Sequence, residues 1–163
     1  MHFDVTPAVV ADLPELADVA ARTFPLACPP SASVDNIAAF IDENLSADRF
    51  RGYLTDPDRA VLVVREEARM VGYAMLVRAD DGIELSKIYV LPGSHGAGAS
   101  AALMAAALNT AKELGAESVW LGVNQQNERA QRFYAKQGFT ISGTRTFQLG
   151  EGVENDYVMV RPV

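Results

Sequence analysis

The sequence predicts a mixed α/β fold, with about seven strands in one sheet, a central parallel strand pair and helices on both faces. Three observations lead there. Apolar residues recur at helical spacing up to about residue 54 and at strand spacing from residue 60. A strand, a long helix and another strand follow one another between residues 84 and 123. Such a crossover makes its two strands, 84–91 and 118–123, parallel. Hairpin turns flank that unit on both sides, so the remaining strands are antiparallel.

Phe3-Asp4-Val5 reads as a first strand. Asp12 and Glu15 match a capping box before apolar Leu16, Val19 and Ala20, so a first helix starts there and is expected to end before Pro25. Phe24 to Pro30 holds three prolines and reads as loop. Ser33 opens a second helix with Val34, Ile37, Ile41 and Leu45 on one face, and Asp48 to Leu54 is a short amphipathic piece. Asp56-Pro57-Asp58 is a turn. Ala60 to Val64 and Val71 to Val77 form a hairpin across the polar turn Arg65 to Arg69. After the Asp80-Asp81-Gly82 turn comes Glu84 to Val90, a strand stopped by Pro92. Gly98 to Leu114 is a long helix with Leu103, Met104, Ala107, Leu108 and Ala111 inward and Gly115 past its end. Ser118 to Val123 is the next strand, Asn127 caps a helix reaching Gln137, and Gly138 ends it. Thr140 to Leu149 and Tyr157 to Val160 close the chain around the turn at Gly150 to Gly152.

The chain has 163 residues, the size of one domain, so residues 1–163 are read as a single unit. Its 49% hydrophobic and 21% charged composition is that of a globular protein. The formal charge of −7 argues against nucleic acid as a partner. No apolar run reaches the roughly 18–20 residues of a membrane span. Met1-His2-Phe3-Asp4 lacks a signal-peptide pattern, and the single cysteine, Cys28, suits a reducing compartment, so a cytoplasmic protein is expected. With two histidines and one cysteine no zinc spacing exists, and no metal is expected. Residues 1–84 hold 15 acids and 7 bases, whereas residues 85–163 hold 6 and 7. That imbalance reads either as surface variation or as an acidic half for a cationic ligand beside a neutral half for an anionic one.

Between the strand and the long helix lies Leu91-Pro92-Gly93-Ser94-His95-Gly96-Ala97-Gly98-Ala99-Ser100. Helix-start N–H groups are unsatisfied and attract anions, and glycines let a phosphate approach them. A P-loop requires Gly-Lys-Ser/Thr, which is missing here. Gly96, Gly98 and Ala101 satisfy the dinucleotide fingerprint literally, but Pro92 to His95 separate them from the strand and the following strand ends in Gly122-Val123-Asn124 without an acid. A tight packing turn is the simpler alternative.

The segment resembles motif A of the GNAT N-acetyltransferases, Arg/Gln-x-x-Gly-x-Gly/Ala after an apolar-Val-x-Pro strand end. His95 stands for Arg or Gln, and Ser100 for Gly or Ala. Asn127-Glu128-Arg129-Ala130-Gln131-Arg132-Phe133-Tyr134-Ala135-Lys136-Gln137-Gly138-Phe139 resembles motif B, Asn-x-x-Ala-x-x-Phe-Tyr-x-x-x-Gly-Phe, at every specified position. Within the family the chain is most similar to PaiA-type spermine/spermidine acetyltransferases, through Thr23-Phe24, Asp42-Glu43-Asn44, Trp120-Leu121-Gly122-Val123 and Phe147-Gln148-Leu149-Gly150.

The resemblance implies a GNAT-like fold, acetyl-CoA (coenzyme A) as co-substrate, and transfer to a primary amine by direct attack in a ternary complex. It implies that the backbone of Ile88, Tyr89 and Val90 binds the pantetheine and that the amides of His95, Gly96, Ala97, Gly98, Ala99, Ser100 and Ala101 hold the pyrophosphate. Asn127 and Phe133 complete the cofactor set, with a plain helix cap as the other reading of Asn127. Tyr134 is the candidate acid for the departing thiolate and Glu84 the candidate base, directly or through water. Alternation places Glu84 on one strand face with Ser86, Ile88 and Val90, and many relatives carry the carboxylate where Ser86 stands, about 7 Å along. Asp42, Glu43 and Asp156 are candidates for a cationic small-molecule acceptor such as a polyamine. Cys28 and Trp120 read as structural, so an acyl-cysteine route is not expected. Acetylation of a protein N-terminus or lysine is the alternative enzyme reading, and a non-catalytic acyl-CoA-binding module is the alternative from another class. A homodimer remains open, with the last strand as the free edge.

Overall fold

The structure is a computed structural model that describes residues 2–93 and 98–163. The N-terminal strand β1 (Phe3–Pro7) leads through a 3-10 turn (Val10–Asp12) into three helices, α1 (Leu13–Ala27), α2 (Val34–Asn44) and α3 (Ala47–Thr55). Three strands follow, β2 (Arg59–Glu66), β3 (Arg69–Ala79) and β4 (Gly82–Val90). The second half is α4 (Ala99–Glu113), β5 (Ser118–Asn124), α5 (Glu128–Lys136), β6 (Thr140–Leu149) and β7 (Gly152–Pro162). The seven strands form one sheet in the order β1-β2-β3-β4-β5-β7-β6. Every neighbouring pair is antiparallel except β4 and β5, which are parallel as the crossover requires.

Alternation sorts the strand side chains onto two cores. Leu62, Val64, Ala74, Leu76, Val119 and Leu121 pack with Leu103, Met104 and Ala107 of α4. Val61, Val63, Tyr73 and Met75 pack with Leu16, Val19 and Phe24 of α1 and Phe50 of α3 on the opposite face. Each fully buried Leu, Val or Phe contributes roughly 1.5–3 kcal/mol of transfer free energy, so both faces are needed to hold the sheet. No helix of the described residues is long and apolar enough to cross a membrane.

Four local expectations need correction. Asp12 and Glu15 do not form a capping box. Asp12 accepts a bond from the Val9 N–H and pairs with Arg65 of β2, and Glu15 accepts one from the Met70 N–H of β3, so both carboxylates tie α1 to the sheet. The 3-10 turn runs straight into α1, leaving no extended cap residue. Helix α1 also continues through Pro25 to Ala27. A proline removes one helical hydrogen bond, but buried Phe24, stacked on Phe40 with 4.5 Å between ring centroids, holds that turn in place. Val34 is 81% exposed, because α2 turns Ile37, Phe40 and Ile41 inward instead. The last strand, β7, lies between β5 and β6, so the sheet's edges are β1 and β6 and not β7.

Ser33 caps α2 as read, accepting from the Asn36 N–H. Ser46, which sequence reasoning did not single out, caps α3 by accepting from the Arg49 N–H. Gly98 takes φ +94° at the start of α4, a left-handed conformation that a side chain resists.

Gly72 sits where β3 meets the end of β4. A Cβ there would lie 2.6 Å from the Tyr89 carbonyl oxygen and 2.8 Å from Val90 Cγ2. Gly72→Ala is expected to destabilise the fold by about 1–3 kcal/mol, read as a lower urea midpoint at unchanged slope.

Candidate active site

The parallel pair joins at only two register positions, Ile83↔Val119 and Glu84↔Trp120. Beyond them β4 continues beside β3 to the pair Gly72↔Val90, while β5 continues beside β7 to the pair Asn124↔Asp156. The two strands therefore part, and the edge of β4 over Lys87–Tyr89 looks into the gap. A split parallel pair exposes main-chain donors and acceptors that a ligand can use as an added strand would.

A bulge in β4 sets what faces the gap. Met75 pairs with Lys87 and Leu76 with Leu85, so Ser86 is an extra residue. Ile83 and Leu85 before it, and Ile88 and Val90 after it, all join the α4-side core. The alternation predicted for Glu84, Ser86, Ile88 and Val90 therefore holds for Glu84 and Ser86, which share a face, and fails for Ile88 and Val90. Glu84 lies on the opposite face from Ile88 and Val90, in the company of Lys87 and Tyr89.

Two cavities open at the parting. One, of about 200 Å³, lies on the α1 and α2 side and is lined by Glu84, Lys87, Tyr89, Arg145, Phe147 and Asp156 among others. The other, of about 440 Å³, is lined by Ile88, Val90, Ser100, Arg129 and Phe133. Ala27, Tyr89, Asn127, Ala130 and Tyr134 line both, so the cavities meet at the two tyrosines.

The sequence matches the acetyltransferase (GNAT) family over residues 15–139. The chain belongs to the GNAT acetyltransferase family. It is 65% identical over 153 residues to an uncharacterized N-acetyltransferase of Mycobacterium tuberculosis, covering 93% of this chain and 98% of the relative. The PaiA N-acetyltransferase of Thermoplasma acidophilum, solved with coenzyme A, superposes with a TM-score of 0.87 at 21% identity over 100% of both chains. A GCN5-related N-acetyltransferase of Rhodopseudomonas palustris gives 0.83 at 18% identity over 100% of this chain and 97% of the other. These two likenesses show the GNAT fold. As a GNAT enzyme, the chain is an acetyltransferase that uses acetyl-CoA.

Of the residues proposed for the cofactor, His95, Gly96 and Ala97 lie outside the described residues. Ser100 lines the larger cavity, Ala99 is the buried first residue of α4, and Ala101 is exposed. Asn127 caps α5 by accepting from the Ala130 N–H at 3.1 Å, and its Nδ2 donates to the Ala27 carbonyl at 3.5 Å. It therefore joins α5 to the end of α1, and both Asn127 and Ala27 line the two cavities. Tyr134 is wedged between Phe133 and Phe139, and burial pushes its phenol up from the usual value.

In the smaller cavity Arg145 is the electrostatic centre, and sequence reasoning missed it. Its Nε donates to Asp156 at 3.2 Å and its Nη1 reaches Glu84 at 3.5 Å. The guanidinium lies over the Trp120 ring, 5.4 Å from the centroid, and directly above Gly122, where a Cβ would fall 2.3 Å from it. Asp156 is buried, and this raises its carboxyl while Arg145 opposes the rise. Asp42 and Glu43 are exposed on α2 and do not line the cavity, because α2 packs with its other face. Cys28 donates to the Phe24 carbonyl at 3.4 Å, and burial raises its thiol to about 11. It remains a thiol rather than a nucleophilic thiolate. Among the described residues no group of three or more His, Cys, Asp or Glu side chains converges to hold a metal.

Lys87 was also missed, since simple alternation assigns it to the wrong face. Burial lowers its pKa from 10.5 to about 8; Glu84 pulls it back up, while Arg59 and Arg145 add to the fall. Between about pH 8 and 10.5 the unfolded chain holds a proton at this lysine that the folded chain lacks, so its burial penalty fades as pH rises through that window. Lys87→Met is therefore expected to stabilise the protein at pH 7 by on the order of 1–3 kcal/mol. Calorimetric scans at pH 7 and pH 10 check this, and the gain shrinks at the higher pH.

Proposed function

We propose that this GNAT enzyme acetylates a small primary amine by direct attack within a ternary complex. One observation carries the reading. The parting of β4 from β5 lets Tyr134 line two cavities at once, one suited to a thioester arm and one suited to an amine. Cys28, kept protonated, supports a route without an acyl-enzyme.

The larger cavity has the parts that coenzyme A needs. The exposed edge of Lys87–Tyr89 offers main-chain groups to the pantetheine, and Ile88 and Phe133 offer apolar surface. The start of α4 at Gly98 to Ser100 and the cation of Arg129 suit the pyrophosphate. Acetyl-CoA supplies an acyl group activated as a thioester.

Glu84 serves as the base. An alkylammonium with pKa near ~10.4 presents only about one free amine in ~10³ at pH 7, a cost of about 4–5 kcal/mol that a nearby carboxylate reduces. Glu84 precedes the bulge and reaches the acceptor face by ordinary alternation, and the bulge brings Lys87 and Tyr89 to the same face. Tyr134 donates its hydroxyl proton toward the leaving sulfur. Full transfer from a phenol to a thiolate is uphill by about 2 kcal/mol in water and more for this buried phenol, so a hydrogen bond to the sulfur is its main contribution.

Glu84, Glu154 and Asp156 bring three carboxylates to the acceptor cavity, and Phe24, Phe40 and Phe147 give it an aromatic wall. This supports a cationic acceptor, and the likeness to PaiA adds polyamines to the panel worth testing. Thiol release from acetyl-CoA is expected with at least one of a set of polyamines, amino acids and peptides. Coenzyme A binding without release above background for any amine would instead point to a binding module. Tyr134→Phe is expected to lower kcat about tenfold or more at unchanged circular dichroism and Tm. An unaltered kcat removes the tyrosine from the mechanism.

A further inference from the structure

We infer that Lys87 is itself an acetyl acceptor, so that the enzyme modifies its own acceptor cavity when no amine substrate fills it. This rests on the reading of the two cavities given above. The chain has three lysines, Lys87, Lys112 and Lys136. Lys112 and Lys136 are exposed on the outer surfaces of α4 and α5, and neither lines a cavity at the parting strands. Lys87 lines the acceptor cavity together with Tyr89 and Tyr134.

The bulge at Ser86 puts it there. Without the extra residue, position 87 would follow Ile83 and Leu85 onto the α4 face; with it, Lys87 shares the acceptor face with Tyr89. The ammonium is not locked in an ion pair. Among the described residues the carboxylates nearest in the cavity serve Arg145, with Glu84 at 3.5 Å and Asp156 at 3.2 Å, and no carboxylate lies within 4.0 Å of Lys87. Its lowered pKa of about 8 supports the inference, since about one Lys87 in ten carries a free amine at pH 7, against about one in ~10³ for an ordinary lysine.

The step is an ordinary aminolysis. The Nζ lone pair attacks the thioester carbonyl carbon, an N–C bond forms, the C–S bond breaks, and coenzyme A leaves as the thiol with the proton lost from Nζ. No redox partner is needed. The product is a neutral, longer side chain in a cavity of about 200 Å³, so it removes a cation and occupies space that the acceptor would use.

The test incubates the full chain with acetyl-CoA and no amine and follows peptides by mass spectrometry. The two exposed lysines report uncatalysed acetylation in the same tube. The peptide with Lys87 is expected to gain one acetyl group about tenfold or more faster than those with Lys112 and Lys136. Excess coenzyme A is expected to suppress the Lys87 adduct alone, and Lys87→Arg to abolish it. Modification of Lys87 no faster than that of the exposed pair overturns the inference, as does a fast adduct insensitive to coenzyme A. Calorimetry with coenzyme A and thiol release with the amine panel, on the same preparation, separate the two readings. Binding and release with an unmodified Lys87 remove only the self-acetylation, whereas failure to bind coenzyme A removes both.

Discussion

The site depends on two parallel strands that stay paired for only two positions. Ile83↔Val119 and Glu84↔Trp120 hold β4 to β5, and from there each strand keeps only its outer neighbour. Main-chain groups deprived of a partner inside a fold are costly unless something else satisfies them. Here that cost is offset by the long antiparallel ladders on both sides, β2 with β3 and β4, and β5 with β7 and β6. The sheet is thus two wings joined at one short seam, and both cavities open between the wings.

The bulge at Ser86 is the second constraint. One extra residue in β4 exchanges the faces of everything beyond it. Ile88 and Val90 turn to the α4 core, and Lys87 and Tyr89 turn to the smaller cavity. Tyr89 then packs between Phe24 and Tyr73, which closes the apolar wall. The same residue that re-aims the strand therefore assembles that cavity and admits a half-buried lysine to it.

Charge in that cavity is balanced around Arg145. Its guanidinium rests on Gly122 and Trp120 and holds Glu84 and Asp156 from opposite wings of the sheet. An ion pair removed from water stabilises little by itself, because desolvation cancels much of the attraction. Its value here is positional, since it fixes the orientation of Glu84 across the seam.

The sequence by itself determined the order of elements, the parallel crossover, the Ser33 cap, the family and the Tyr134 position on α5. Those features are written in local spacing: a period of 3.6 or 2, a capping side chain, a motif read along one helix. The continuation of α1 through Pro25, the position of β7 inside the sheet, the bulge at Ser86 and the convergence of Lys87 and Arg145 came only with the tertiary structure. Each depends on what a distant segment places alongside: Phe40 against Phe24, β6 outside β7, β3 skipping Ser86, and Glu84 with Asp156 around a cation from β6. Pairing across a sheet couples residues far apart in sequence, and no local period encodes which of them will share a face.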